Sequence, residues 1–345
     1  MKYTTLPDTA VKISKICLGT MTFGEQNSES DGHSQIDLAL DKGINFIDTA
    51  EMYPVAAREQ TFGSTEKIIG TWLKKSGKRS DIVLASKISG PNRGLSYIRE
   101  KLDFSKDSIL LSVDRSLQRL QTDYIDLYQM HWPERKMNFF GQRGYKLQDD
   151  AWEDNFQSVL ETYQELIQRG KIRHIGVSNE TSWGLMRFLE ESKKHALPKT
   201  ITIQNPYSLV NRSFEVNLAE VCHRENVGLL AYSPLAFGFL TGKYLDGTAN
   251  AQARLNRFPQ FTRYNSESTR QATQLYQKIA AECGMTLTEM ALAFVNGQPF
   301  VTSTIVGATS ISQLEADIDS IDTILSEAVL NEIEKVQNQF PDPAP

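Results

Sequence analysis

Four side chains in this sequence, Asp48, Tyr53, Lys87 and His131, are of types that together can deliver a proton to an oxygen. Adding a hydride to a carbonyl carbon develops negative charge on its oxygen, which then needs a proton donor and a hydrogen bond. Tyrosine is a weak acid with an ordinary pKa of about 10, and an ammonium nearby is expected to lower it towards the working range. Lys87 would supply that ammonium, Asp48 an ion-pair partner to hold it, and His131 a donor to orient the carbonyl. Glu51 beside Asp48 also raises a glycosidase. The two share one short loop, however, whereas that chemistry wants carboxylates on opposed walls. His33, His174, His195 and His223 show no ligand spacing, so no metal is expected.

Taken singly, each of these residues has a bland explanation. Asp48 could cap a helix, Lys87 end a strand in solvent and His131 be a satisfied structural histidine. What joins them is the elements that must carry them. Short β-rich runs at Ile16–Gly19, Asn45–Asp48, Ile82–Lys87, Tyr124–His131, His174–Asn179, Thr202–Asn205, Gly228–Tyr232 and Thr304–Gly307 alternate with segments of helical period. Ile109, Val113, Leu117 and Leu120 form one such apolar stripe, and Val159, Tyr163 and Leu166 another, as do Leu185, Phe188 and Leu189. Strict alternation implies parallel strands with right-handed crossovers. The competing doubly wound sheet would want a GxGxxG turn after its first strand, and Leu18-Gly19-Thr20-Met21-Thr22-Phe23-Gly24 lacks it.

The expected fold is therefore α/β, a single (β/α)8 TIM barrel with long loops after strands 4 and 7. Residues 1–345 are read as one domain, with a short strand cap over about 1–14 and a C-terminal helix over about 326–338. Active sites of such barrels lie at the carboxyl ends of the strands. Those ends read Asp48, Lys87, His131, Ser178-Asn179, Gln204 and Tyr232, with Tyr53 shortly after the first. The loop after strand 4 carries Trp132, Phe139, Phe140, Tyr145 and Trp152, expected to wall a substrate pocket around Tyr53, His131 and Trp132. The segment after strand 7 carries a basic loop with Lys243, Arg254, Arg257 and Arg263.

A net charge of −5 argues against nucleic acid, and no stretch is long and apolar enough for a membrane span. Cys17, Cys222 and Cys283 are odd in number and widely spaced, as suits free thiols in a reducing compartment. With no apolar leader in MKYTTLPDTA, a cytoplasmic protein is expected.

Asp48-Thr49-Ala50-Glu51-Met52-Tyr53, Lys87 and His131 resemble the Asp/Tyr/Lys/His tetrad of the aldo-keto reductases. Gly170-Lys171-Ile172-Arg173-His174-Ile175-Gly176-Val177-Ser178-Asn179, Gln204-Asn205-Pro206-Tyr207, Tyr232-Ser233-Pro234-Leu235 and Leu240-Thr241-Gly242-Lys243-Tyr244 match further blocks of that family. Met21-Thr22-Phe23-Gly24-Glu25-Gln26 and Trp132-Pro133 resemble its bacterial Tas-like branch.

The resemblance implies reduction of an aldehyde or ketone with NADP(H), NAD being the alternative cofactor. By it, Thr20, Met21, Asp48, Ser178, Asn179 and Gln204 surround the nicotinamide, on which Tyr232 stacks. Ser233, Pro234, Leu235, Phe237, Lys243 and Arg254 would follow the pyrophosphate, and Gly307, Thr309, Gln313 and Asp317 the adenosine. Ala316-Asp317 departs from the Glu-Asn common there, Thr309 stands where the family commonly has a basic residue or Ser, and Gln313 where it has Arg or Gln. A second implication is a cofactor-sensing regulatory subunit, since potassium-channel β subunits resemble the same barrel; a membrane partner would mark that role.

Overall fold

The computed structural model describes residues 1–91, 93–138, 140–147 and 151–345. Strands β1 (Tyr3–Thr5) and β2 (Lys12–Ser14) pair antiparallel, Tyr3 opposite Ser14. Eight parallel strands then close into a barrel: β3 (Ile16–Gly19), β4 (Phe46–Asp48), β5 (Val83–Ile88), β6 (Ile125–Met130), β7 (Ile172–Ser178), β8 (Thr200–Pro206), β9 (Gly228–Tyr232) and β10 (Val301–Val306), with β10 returning to β3. The expected TIM barrel is the observed fold.

Helices cover the outside. Helix α1 (Glu29–Asp41) starts on a capping box in which Ser28 and Asp31 bond reciprocally. Helices α2 (Ser64–Ser76), α3 (Lys106–Leu120), α4 (Phe156–Gln168), α5 (Ser182–His195) and α6 (Leu218–Glu225) follow successive strands. In α3 the stripe of Ile109, Val113 and Leu120 is buried and Leu117 is half-buried, as its spacing requires. After β9 come a 3₁₀ turn at Ala236–Thr241, α7 (Arg254–Arg257), α8 (Glu267–Glu282) and α9 (Leu287–Asn296). The chain closes with α10 (Ile311–Asp319) and α11 (Glu327–Gln339), the latter capped by Ser326 and packed on α8. Among the described residues no helix is long and apolar enough to cross a membrane.

The barrel separates two apolar layers. Phe46, Val83, Ala85, Leu127, Leu230 and Ile305 belong to an inner cluster, whereas Ile47, Leu84, Ile88, Tyr128 and Met130 pack outwards against helices. Strand side chains alternate between faces. Two residues beyond Phe46, Ala85, Leu127 and Leu230 come Asp48, Lys87, Gln129 and Tyr232. The parity that fills the barrel with apolar groups thus turns polar in its last layer, at the carboxyl ends.

Six of the eight barrel strands have bounds that differ from the sequence reading, and β7, β8 and β10 start two or three residues earlier than expected. Strand β10 begins at Val301, which pairs with Leu229 of β9, and the Ser303 hydroxyl donates to the Ser14 carbonyl at 2.9 Å. Strand β7 begins at Ile172, and exposed Arg173 is held by Asp126 at 2.7 Å.

Helices α2 and α3 approach most closely at Gly70, where an added Cβ would lie 2.2 Å from the Arg119 carbonyl oxygen and 2.8 Å from the Leu120 carbonyl carbon. Both are backbone atoms and cannot swing away. Alanine has the better helix propensity, yet Gly70→Ala is expected to destabilise by about 1–3 kcal/mol through overpacking. Denaturant titration checks this, and an unchanged or raised midpoint would contradict the close approach.

Candidate active site

Asp48 and Lys87 meet at the floor of the barrel mouth, both buried, with Nζ to Oδ2 at 2.6 Å. Lys87 Nζ also donates to the Thr49 carbonyl at 2.8 Å. The other oxygen of Asp48, Oδ1, accepts from Gln204 Nε2 at 2.8 Å and from Gln129 Nε2 at 3.3 Å. Burial, the largest single effect, works against the Lys87 ammonium, but Asp48, with smaller contributions from Tyr53 and Cys17, brings the net shift above the ordinary lysine value.

Tyr53 lies with its ring centroid 5.0 Å from Lys87 Nζ and 5.6 Å from the His131 ring, edge to face. The four residues singled out at the start are thus gathered at one point. The direction of the Tyr53 shift corrects the sequence expectation. Burial pushes the phenol upwards, Lys87 pulls it down, Asp48 adds to the rise, and the net effect is upwards. His131 is held well below the ordinary histidine value by burial, Lys87 and Arg93, so its imidazole is neutral. Its Nδ1 is buried without a hydrogen-bond partner among the described residues.

The loop that carries Tyr53 is clamped by a second buried ion pair. Glu51 Oε1 accepts from Arg99 Nη1 at 2.7 Å and from the Ser89 N–H at 2.6 Å, and its Oε2 accepts from Ser112 Oγ at 2.5 Å. Glu51 is therefore a structural anchor, not half of a carboxylate pair across the mouth.

On the opposite wall, the Tyr232 hydroxyl donates to Asn179 Oδ1 at 2.6 Å, fixing the ring. Asn179 Nδ2 donates to the His131 carbonyl at 2.9 Å and to Ser178 Oγ at 3.1 Å, and Ser178 Oγ donates to the Gln204 carbonyl at 2.7 Å. Ser178, Asn179, Gln204 and Tyr232 are brought together as expected, though much of their donor capacity is spent among themselves. Thr20, on the neighbouring edge, bonds the Asp48 carbonyl at 2.8 Å, and the Met21 carbonyl accepts from the Val55 N–H at 3.1 Å. Gly307 lies against Gly19, whose carbonyl oxygen would be 3.2 Å from an added Cβ.

Beyond Tyr232 the backbone takes positive φ at Ser233, Ala236, Phe237 and Gly238. Lys243 folds back over this turn: a Cβ on Gly238 would sit 2.9 Å from its Nζ. Arg254 lies over the Phe237 ring at 5.0 Å. Burial lowers both, Arg254 to about 10, and the charge of Arg254 lowers Lys243 further. The rest of the basic loop is occupied elsewhere. Arg257 pairs with Glu25 at 2.8 Å, and Arg263 Nε donates to the Pro345 carbonyl at 2.8 Å while its Nη1 reaches the Tyr232 hydroxyl at 3.5 Å. Glu25 also pairs with Arg58, linking three loops over the mouth.

Thr309 and Gln313 bond each other, the Thr309 N–H and hydroxyl both reaching Gln313 Oε1 at 3.0 Å. Asp317 is buried near Lys243. Burial pushes its pKa up to about 7 and Lys243 opposes the rise.

The aromatic loop does not form one wall. Trp132 packs beside His131, ring centroids 5.0 Å apart, with its indole N–H on the Pro91 carbonyl at 2.9 Å. Phe140 joins it edge to face at 6.4 Å. Trp152 instead packs on Phe156 and Trp183 among the outer helices, and Tyr145 is solvent-exposed. Phe139 lies outside the described residues. Gln129, Arg93 and the Glu25 link were missed by sequence reasoning. Gln129 alone had a signal, its parity within β6.

A closed parallel barrel with ionisable side chains converging at the carboxyl ends of its strands has the build of a barrel enzyme. Comparison with known proteins supplies the class. The profile of the Aldo/keto reductase family matches residues 15–338. The chain is similar to protein Tas of Escherichia coli, 51% identical with 100% of each chain covered. It is similar to the uncharacterized oxidoreductase YrpG of Bacillus subtilis, 33% identical over 99% of this chain and 97% of that one. Norsolorinic acid reductase B of Aspergillus parasiticus is 28% identical over 95% of this chain and 82% of its own. The chain belongs to the aldo/keto reductase family, and so to the oxidoreductases.

Asp317 yields a prediction about pH. Its folded pKa of about 7 stands above the ordinary 3.8. The folded state thus binds the proton more tightly, and stability falls as pH rises from about 4 to about 7, then levels off. Asp317→Asn is expected to remove this fall, worth up to about 4 kcal/mol above pH 7. Denaturant midpoints at about pH 5 and pH 8 measure it; identical slopes in both proteins would refute the assignment.

Proposed function

We propose that the chain reduces the carbonyl of an aldehyde or ketone to an alcohol with NADPH, Tyr53 acting as the general acid. The observation that carries this reading is Tyr53 kept protonated while lying between the Lys87 ammonium and the His131 ring. A phenol raised by burial does not ionise at neutral pH, so its proton is present when the reaction needs it. As the carbonyl oxygen gains charge it takes that proton, and the phenolate left behind faces Lys87, which Asp48 holds in place. Neutral His131 retains one N–H to point at the substrate oxygen, and Trp132 beside it would border the substrate.

The residues fit a dinucleotide. Among the described residues Lys243 and Arg254 have no ion-pair partner, and they repel each other beside a turn of positive-φ backbone. An anion there would relieve both. In this reading Ser233, Pro234, Leu235 and Phe237 with Lys243 and Arg254 hold the diphosphate. Tyr232 offers its ring face to the nicotinamide, with Thr20, Met21, Ser178, Asn179 and Gln204 around it, and Gly307, Thr309, Gln313 and Asp317 border the adenosine. The bound cofactor supplies the hydride.

Two measurements test the reading. Tyr53→Phe is expected to lower turnover by roughly 10²- to 10⁴-fold while NADPH still binds; near-normal turnover would remove Tyr53 from the role. Lys243→Ala is expected to weaken NADPH binding by about 1.5–3 kcal/mol, the worth of a charge-assisted contact, and NADH binding less. Fluorescence titration of both cofactors decides it, and equal affinities before and after the change would place the phosphates elsewhere.

A further inference from the structure

Gln129 is fully buried in the last inner layer of the barrel, an amide that the proposed reduction does not itself use. Its Nε2 donates to Asp48 Oδ1 at 3.3 Å, and its Oε1 accepts from Gln204 Nε2 at 3.4 Å. Strand β7 separates β6 from β8, and opposite Gln129 it carries Gly176. A Cβ on Gly176 would lie 3.2 Å from Gln129 Cγ and 2.3 Å from Thr202 Oγ1. The glycine thus keeps open the space in which an amide from β6 meets one from β8.

An amide donates at one end and accepts at the other, and its partners decide which way it faces. Asp48, paired with Lys87 at 2.6 Å, can only accept. Gln129 and Gln204 therefore both turn Nε2 towards it. Gln129 then has only Oε1 left for Gln204, and with it takes up that residue's second N–H. Gln204 Oε1 accepts no hydrogen bond among the described residues, yet it is not sealed in the interior, so it is the end open to the mouth. The wall beside it has spent its donors as well. Asn179 Nδ2 gives its two N–H to the His131 carbonyl and Ser178 Oγ, and the Ser178 hydroxyl goes to the Gln204 main-chain carbonyl. What this wall offers a bound ring is an acceptor, which suits an N–H.

We propose that Gln129 is a positioning residue: by taking the second N–H of Gln204 it keeps Gln204 Oε1 aimed at the mouth, where that oxygen accepts from the amide N–H of a nicotinamide carboxamide. This rests on the reading that sets Gln204 beside the nicotinamide. The shorter bond to Asp48, at 2.8 Å, sets which end of Gln204 faces inwards. Gln129 adds the second point that stops the amide from turning about the first.

The test is calorimetric titration of the full chain with NADP, with its 3-acetylpyridine analogue, whose methyl ketone has no N–H to give, and with 2′-phosphoadenosine diphosphoribose, which has no ring. NADP is expected to bind about tenfold more tightly than the analogue. Gln129→Met, of similar volume, should bring that ratio down to about twofold and leave the ring-free ligand unchanged, which a general loosening of the barrel would not do. At about pH 6, Gln129→Glu should keep the wild-type ratio, because beside Asp48 its carboxyl takes up a proton and then offers the same donor and acceptor. A ratio that Gln129→Met leaves intact overturns the proposal. So do an equal weakening of all three ligands, an equal loss in both variants, or a wild type that binds NADP and the analogue alike. Turnover separates this from failure of the reductase reading. The expected ratios without NADPH oxidation on any aldehyde or ketone support the positioning role and sink the reductase. NADPH oxidation with no selectivity between the ring substituents does the reverse, and a chain that does not bind NADP overturns both.

Discussion

The ion pair between Lys87 and Asp48 is the interaction on which the mouth of this barrel depends. Taking an ammonium and a carboxylate out of water costs several kcal/mol per ion unless close geometry and further hydrogen bonds compensate. Here they do. Lys87 has a second acceptor in the Thr49 carbonyl, and both oxygens of Asp48 are occupied, one by Lys87 and the other by the amides of Gln129 and Gln204. Four strands, β4, β5, β6 and β8, thus meet through side chains at one carboxylate. The Lys87 charge held by that carboxylate sets the state of its neighbours. It helps hold His131 neutral, and it opposes the rise that burial imposes on Tyr53.

A fixed charge is useful only if the group it acts on is equally fixed, and a second buried pair does that. Glu51 lies between Asp48 and Tyr53 in the chain, and its carboxylate is tied to Arg99, Ser89 and Ser112. Arg99 donates onwards to the Ser89 carbonyl at 2.6 Å, and Ser112 meets the Tyr128 hydroxyl at 2.8 Å. The short loop that presents Tyr53 is therefore held at its start by the floor of the barrel and in its middle by the sheath of helices. Loop residues bound by satisfied, buried polar groups move little, because each opening would strand an ion in a low-dielectric setting.

How much of this could be read from the residues follows from what each property depends on. Asp48, Lys87 and Tyr232 were legible because strand parity and strand ends are local properties of the chain. Gln129 obeys the same parity, but an amide within an apolar run carries no mark of function until its partner across the barrel is known. Arg93 was not legible, since its charge acts on His131 and is acted on by Tyr232, both distant in sequence. Composition could not divide the basic loop. Only the fold commits Arg257 to Glu25 and Arg263 to the Pro345 carbonyl, leaving Lys243 and Arg254 beside the positive-φ turn. The direction of the Tyr53 shift was hidden for a similar reason. The sequence supplies the lysine that lowers it, but burial, the larger effect, is a property of the closed barrel.

The protonation states that result are asymmetric in a way that bears on the chemistry. At neutral pH the floor holds a charged lysine, a neutral histidine and a neutral tyrosine within a few ångströms. The lysine proton is held by two acceptors, Asp48 and the Thr49 carbonyl, and leaving would break the ion pair. The histidine has no second proton to give. In the proposed reduction the phenol proton is the one that the substrate oxygen draws off, and the phenolate left behind gains an attraction to Lys87 that the neutral phenol lacked. In that reading burial, which by itself makes Tyr53 a weaker acid, keeps the proton in place until negative charge develops on the substrate oxygen. The ammonium lowers the energy of the state that follows, and the two effects act at different stages of one transfer.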